Sequence, residues 1–176
     1  MLDFMVIGFP RSATTWIANW LTTEKTFCGH DPLYVTHYED LDRLYQYGYH
    51  RYCKGVSCTG LWRWPKWVNE HRAKKVILHR DFNAIQDSLD AMGLPLLDYQ
   101  EKDALHDIEG MHVQFSDLFV EIRARKIWEH LTPEPFNLVR YRSLILQKIE
   151  PTDEALKGNP EVQRRLYREL ASQTSE

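Results

Sequence analysis

Phe4-Met5-Val6-Ile7-Gly8-Phe9-Pro10-Arg11-Ser12-Ala13-Thr14-Thr15-Trp16 is the stretch that decides the fold. Phe4 to Gly8 is an unbroken apolar run closed by glycine. That is the pattern of a short strand buried on both faces, and such strands belong to parallel sheets covered by helices. From Thr15 to Thr22 the rhythm turns helical, with Trp16, Ile17, Trp20 and Leu21 on one side. Gly8 and Pro10 put a loop between strand and helix. A helix that starts there aims free backbone N–H groups and the positive end of its dipole at one spot, which suits an anion.

Working outward, Phe27 to Asp31 reads as a second strand stopped by Pro32, and Tyr38 to Tyr47 as a helix closed by Gly48. Lys54 to Leu61 reads as another strand, Pro65 to His71 as a short helix, and Lys75 to His79 as the clearest strand of all. Asp81 is placed to cap a helix that runs to Met92 and ends at Gly93. Phe115 to Leu131 reads as one longer amphipathic helix stopped by Pro133, and Phe136 to Ile145 as the last apolar strand. Asn159 and Pro160 are an N-cap and first-turn pair for a terminal helix carrying Val162, Leu166 and Leu170. Strands alternating with helices predict an α/β chain: three layers, α/β/α, around a central, mainly parallel sheet of about four to five strands. In such sheets ligands gather at the carboxyl ends of the strands, so the loops after Gly8, Cys28, Leu61 and His79 are the places to search.

The 176 residues, 43% hydrophobic and 27% charged, suit one ordinary domain spanning residues 1–176. The 22 basic and 25 acidic side chains leave a net charge of -3, too balanced for a sequence-independent grip on nucleic acid or an anionic membrane. An anionic ligand must therefore meet a local basic site. Cys28, Cys53 and Cys58 are an odd number of thiols behind no secretory opening, so a reducing cytoplasm is expected. The longest apolar stretches fall far short of the roughly 20 residues that cross a bilayer.

Against the common phosphate-loop pattern Gly-x4-Gly-Lys-[Ser/Thr], Gly8 and Thr15 agree, while Ala13 takes the second glycine's place and Thr14 the lysine's. The positive charge has moved to Arg11. Pro10-Arg11-Ser12-Ala13-Thr14-Thr15-Trp16 resembles the Pro-[Lys/Arg]-Ser-Gly-Thr-Thr-Trp loop of the sulfotransferases that use 3'-phosphoadenosine 5'-phosphosulfate. The resemblance implies a sulfotransferase-type P-loop domain, in which the loop from Arg11 through Ser12, Ala13 and Thr14 to Thr15 holds the 5'-phosphosulfate and Trp16 stacks on adenine. The family's second motif is an Arg closing a buried strand with a Ser eight residues on, and Val76 to Arg80 with Ser88 is similar to it. By that resemblance Arg80 and Ser88 reach the cofactor's 3'-phosphate. Independently, Ile85, Ser88, Leu89 and Met92 form one helical stripe, so Ser88 points toward the body and wants a partner. A purely structural reading of the same residues bonds Ser88 to the Ala84 carbonyl and pairs Arg80 with Asp81 or Asp87.

Asn137 to Leu144 resembles the family strand that usually ends Arg-Tyr-Glu-Asp-Leu, which implies Tyr141 near adenine, with Arg142 and Ser143 in place of the acids. Two departures stand out. Ala13 crowds the loop if that position needs positive φ. The family's downstream Arg-Lys-Gly segment is absent, leaving Arg123, Arg125, Lys126 or Arg140 to substitute.

Sulfuryl transfer moves an SO₃-like group between two oxygens in line, so a protein has mainly to position both partners and stabilise charge on the departing oxygen, with no metal needed. Arg11 suits the leaving side through charge and hydrogen bonds. His30 and Asp31, after the second strand, are the preferred base pair for the acceptor, because a His beside a carboxylate can take a proton at neutral pH. Alternatively Asp31 only caps a turn before Pro32; His37 and His50 are the other candidate bases. Ser57 and Thr59 are candidates for the site rim. Tyr45, Tyr47, Tyr49, Tyr52, Trp62, Trp64 and Trp67 either line an acceptor pocket or pack as half-buried core. The acceptor implied is a small molecule or glycan bearing a hydroxyl or amine, not a nucleic acid. The competing readings are a small kinase using Mg-ATP and a non-catalytic nucleotide-binding module.

Overall fold

The computed structural model describes residues 2–31, 41 and 53–146. In chain order the described elements are β1 (Phe4–Gly8), α1 (Thr14–Leu21), β2 (Thr26–His30), β3 (Cys53–Cys58), α2 (Pro65–Glu70), β4 (Lys74–His79), α3 (Phe82–Asp90), β5 (Met111–Gln114), α4 (Glu121–Leu131) and α5 (Leu138–Ile145). The five strands form one sheet in the order β2-β3-β1-β4-β5, and every pairing is parallel. The expected three-layer arrangement is therefore what the chain adopts, with β1 at the centre. Its register runs Phe4 to Gly55 and Ile7 to Cys58 on one side, and Phe4 to Lys74 and Gly8 to Leu78 on the other.

Strand alternation divides the core in two. Met5, Ile7, Val56, Cys58 and Ile77 face one way, into a cluster with Val68 of α2 and Ile85 and Leu89 of α3. Phe4, Val6, Val76 and Leu78 face the other way, against Ile17, Trp20 and Leu21 of α1 and Ala124, Ile127 and Trp128 of α4. All five β1 residues are buried, as an apolar run without alternation requires. Because the strands are parallel, their carboxyl ends, at Gly8, His30, Cys58, His79 and Gln114, lie along one rim of the sheet.

Three expectations are corrected. Residues 136–145 do not form a strand: Leu138–Ile145 is a helix, with the Asn137 side chain accepting from the Arg140 N–H as its N-cap. Leu138, Tyr141, Leu144 and Ile145 recur at helical spacing and all pack on the α1 side of the core, while Val139 is 80% exposed. Phe115 to Leu131 is not one helix; a 3-10 turn over Phe115–Phe119 is separated from α4 by extended Val120. A fifth strand, Met111–Gln114, was not expected: four residues with only Val113 buried give too little pattern to read. The strand expected over Lys54 to Leu61 ends at Cys58. The helix expected over Tyr38 to Tyr47, apart from the buried Leu41, and the terminal helix after Asn159 lie outside the described residues. Among the described residues no helix is long and apolar enough to cross a membrane. Cys28, Cys53 and Cys58 are free thiols; burial pushes Cys53 up to about 11.

Candidate functional site

The loop between β1 and α1 is bent by two non-glycine residues in the left-handed region, Arg11 at φ 64° and Ala13 at φ 66°. Ala13 is the position where the sequence departs from glycine, and it does hold the backbone that glycine favours. Alternation of right- and left-handed residues turns successive N–H groups toward a common concavity. No side chain caps α1, whose first-turn N–H groups have no intrahelical acceptor. Inside the loop Ser12 is fully buried, and its Oγ has no hydrogen-bond partner among the described residues. A buried hydroxyl left unmatched costs free energy unless a ligand or water meets it.

Arg80, closing β4, donates to the Arg11 carbonyl and lies with its guanidinium 4.8 Å from the centre of the Phe115 ring. Arg11 in turn donates from Nε to Ser88 Oγ on α3 at 2.9 Å. The two motifs separated in sequence thus meet in one cluster. Ser88 bonds forward to Arg11 and not back along its own helix. Burial lowers the Arg80 pKa below its ordinary value, the like charge of Arg11 lowers it further, and Asp81 partly opposes both. Two guanidinium groups disfavouring one another beside an unmatched hydroxyl form a site that is short of negative charge.

Across the loop, His30 ends β2 with Nε2 3.1 Å from Thr14 Oγ1 and 3.1 Å from Thr15 Oγ1, the two hydroxyls of the first turn of α1. The same nitrogen is 3.5 Å from Asp31 Oδ2. Asp31, itself at φ 37°, is held by the neighbouring loop: the Thr59 N–H donates to Oδ1 at 2.6 Å and the Thr59 hydroxyl to Oδ2 at 2.8 Å. Burial lowers the His30 pKa from its ordinary value, opposed by the Asp31 charge. Ser57 is buried and donates to the Thr14 carbonyl at 2.8 Å, which fixes β3 to the helix start. Thr59 and Ser57 therefore act through the loop and Asp31. Neither was singled out in sequence for the contact it makes, because only parallel pairing of β2, β3 and β1 brings them there.

Arg11, Ser12, Ala13, Thr14, Thr15, His30, Asp31, Arg80 and Ser88 are accordingly gathered at one rim. Trp16 and Tyr141 are not open to it. Trp16 is 6% exposed, packs on Trp20 with ring centres 5.3 Å apart and donates Nε1 to the Leu144 carbonyl. Tyr141, 2% exposed, donates its hydroxyl to the Leu118 carbonyl. Both aromatics are committed to the join between α1 and α5. Arg140 is likewise occupied: it donates to the Trp20 and Asn19 carbonyls, capping the far end of α1. Trp62 is buried in the core, with Trp64 and Trp67 partly buried against it; Tyr45, Tyr47, Tyr49 and Tyr52, with His37 and His50, lie outside the described residues.

Comparison of the chain with protein-family models, with curated proteins and with solved structures gives no match.

Proposed function

We propose that this chain is a sulfotransferase that moves a sulfuryl group from 3'-phosphoadenosine 5'-phosphosulfate to a hydroxyl or amine of a small-molecule or glycan acceptor. The observation that carries the reading is the cluster at the end of β1 and β4. There Arg80 donates to the Arg11 carbonyl and Arg11 donates to Ser88, in the loop that carries the buried, unmatched Ser12 hydroxyl. A polyanion is the ligand that relieves both defects at once. The loop from Arg11 to Thr15 would hold the phosphosulfate end, and Arg80 with Ser88 the 3'-phosphate. The bound nucleotide supplies an already activated sulfuryl group on an acidic leaving oxygen.

The protein's own part is positioning and charge. A guanidinium offers charge and hydrogen bonds but no proton, so Arg11 is suited to stabilising negative charge. His30, neutral at pH 7 because burial lowers its pKa, is able to accept the acceptor's proton. Asp31, with both oxygens engaged by Thr59, orients His30 and leaves the base role to the imidazole. The kinase reading is weaker because Thr14, 3% exposed with its carbonyl bound by Ser57, stands where a lysine would bridge phosphates.

Calorimetry tests the proposal. Adenosine 3',5'-bisphosphate should bind without magnesium, and Arg80→Ala should weaken it by about 2 kcal/mol, the worth of a hydrogen bond to a charged group. Adenosine 5'-phosphate should be nearly unaffected by that change. Equal losses for both nucleotides would remove the 3'-phosphate role from Arg80, and a requirement for Mg-ATP would replace the reading with a kinase.

A further inference from the structure

His30 touches the loop in a way that the role of base does not require. Its Nε2 faces three oxygens: the Thr14 and Thr15 hydroxyls at 3.1 Å each and Asp31 Oδ2 at 3.5 Å. A carboxylate oxygen only accepts, whereas each threonine hydroxyl has one hydrogen to give and lone pairs with which to accept. With no anion in the loop, a hydroxyl hydrogen is free to point at Nε2, and the ring can carry its own proton on either nitrogen. An oxyanion cradled at the helix start competes for those same two hydrogens.

Resting on the anion-binding reading of this loop, we propose that loop occupancy sets His30. An oxyanion that takes the Thr14 and Thr15 hydrogens leaves only oxygen lone pairs facing Nε2, so a proton is fixed there and Nδ1 becomes the base nitrogen. The anion's charge then makes that nitrogen more basic. The device is a base held weak in the empty protein and strengthened when the anion arrives, which guards the acceptor side until the donor is seated.

The surroundings permit the switch. Asp31 beside His30 on β2 is the charged group bearing on the ring among the described residues. From α1 it meets the uncharged Thr14 and Thr15. From the β3 side, Thr59 is neutral, and burial keeps the Cys58 thiol protonated. Arg11 donates its Nε to Ser88 on α3. No described cation contacts the ring itself, and no described residue partners Nδ1. Ser12, fully buried and unmatched in the same loop, is the independent sign that a ligand belongs there.

Inorganic sulfate is the probe, because it remains a dianion throughout the range in which histidine titrates. Nitrogen-15 NMR of the wild-type His30 ring, recorded without and with saturating sulfate, should show the neutral ring shift to the Nε2–H tautomer and its titration move upward. By linkage, sulfate should bind about fivefold more tightly at pH 5.5 than at pH 7.5 if the ring's pKa rises by about one unit. His30→Gln, which keeps an N–H donor, should remove most of that pH dependence while still binding sulfate. Sulfate that binds with no change in the His30 tautomer, or with the same pH slope in wild type and His30→Gln, overturns this inference and leaves the anion loop standing. Sulfate that fails to bind at any pH overturns both.

Discussion

Gly55→Ala probes the join between β1 and β3. Gly55 lies opposite Phe4 in the β1–β3 register. A methyl group built on it would sit 2.0 Å from Phe4 Cε2 and 2.2 Å from Cδ2 and Cζ, where ordinary contact begins near 3.4 Å. The ring must therefore retreat by more than an ångström, yet Phe4 is fully buried among close-packed neighbours. Overpacking of this kind costs about 1–3 kcal/mol, and expulsion of the ring would add the loss of a buried phenylalanine. A destabilisation of about 3 kcal/mol is expected, read from urea unfolding followed by tryptophan fluorescence. The cause is separable by a double-mutant cycle. In a Phe4→Leu background the smaller side chain makes room, so the same change should cost about 1 kcal/mol, a coupling of about 2 kcal/mol. A Gly55→Ala protein within 0.5 kcal/mol of wild type, or an undiminished cost in the Phe4→Leu background, would refute the packing argument.

Three further outcomes are expected. Ala13→Gly should stabilise the protein by about 0.5 kcal/mol: relief of a left-handed alanine is worth about 1–2 kcal/mol, offset by the freedom glycine regains on unfolding and by the lost methyl contact; destabilisation in thermal melts would show that the methyl matters more than the backbone. Acid should weaken the fold through His79, whose ring is hydrogen-bonded to His112 at 2.7 Å and lies 5.0 Å from His106 between ring centres. Burial, then His112 and His106, lower His79 from 6.5 to about 4, so stability is full above pH 6.5 and declines as pH falls toward 4. The ring is only half-buried, which reduces the effect to about 1 kcal/mol, and His79→Gln should remove that part of the decline between urea midpoints at pH 7 and pH 4.5. Finally, Arg11→Ala should lower turnover more than nucleotide affinity if the guanidinium acts on charge that develops during transfer, and single-turnover kinetics showing an affinity loss alone would reassign it to binding.

Some residues declared themselves in sequence because their signal was local. The β1 run, the turn at Gly8 and Pro10 and the Trp16–Leu21 stripe need only neighbours a few positions away. Ser88 was legible as an inward-facing hydroxyl for the same reason, and its acceptor role toward Arg11 is what an inward hydroxyl in want of a partner finds. A short or ambiguous pattern leaves the choice of element to the surroundings. Phe136 to Ile145 carries apolar residues at spacings compatible with either a strand or a helix. The choice fell to the Asn137 cap and to the aromatic bed of Trp20 and Phe136 beneath Tyr141.

The sequence by itself determined a strand buried on both faces, the loop and helix that follow it, and a second basic residue closing another buried strand, because period and composition are properties of the chain. Only the tertiary structure decided that β3 and β4 flank β1. That order brings Arg80 to the Arg11 carbonyl, Thr59 to Asp31 and His30 to the Thr14 and Thr15 hydroxyls. It also withdrew Trp16 and Tyr141 into the core. The physical reason is that strand order and helix docking are chosen by burial summed over the whole sheet, and no local stretch of sequence carries that sum.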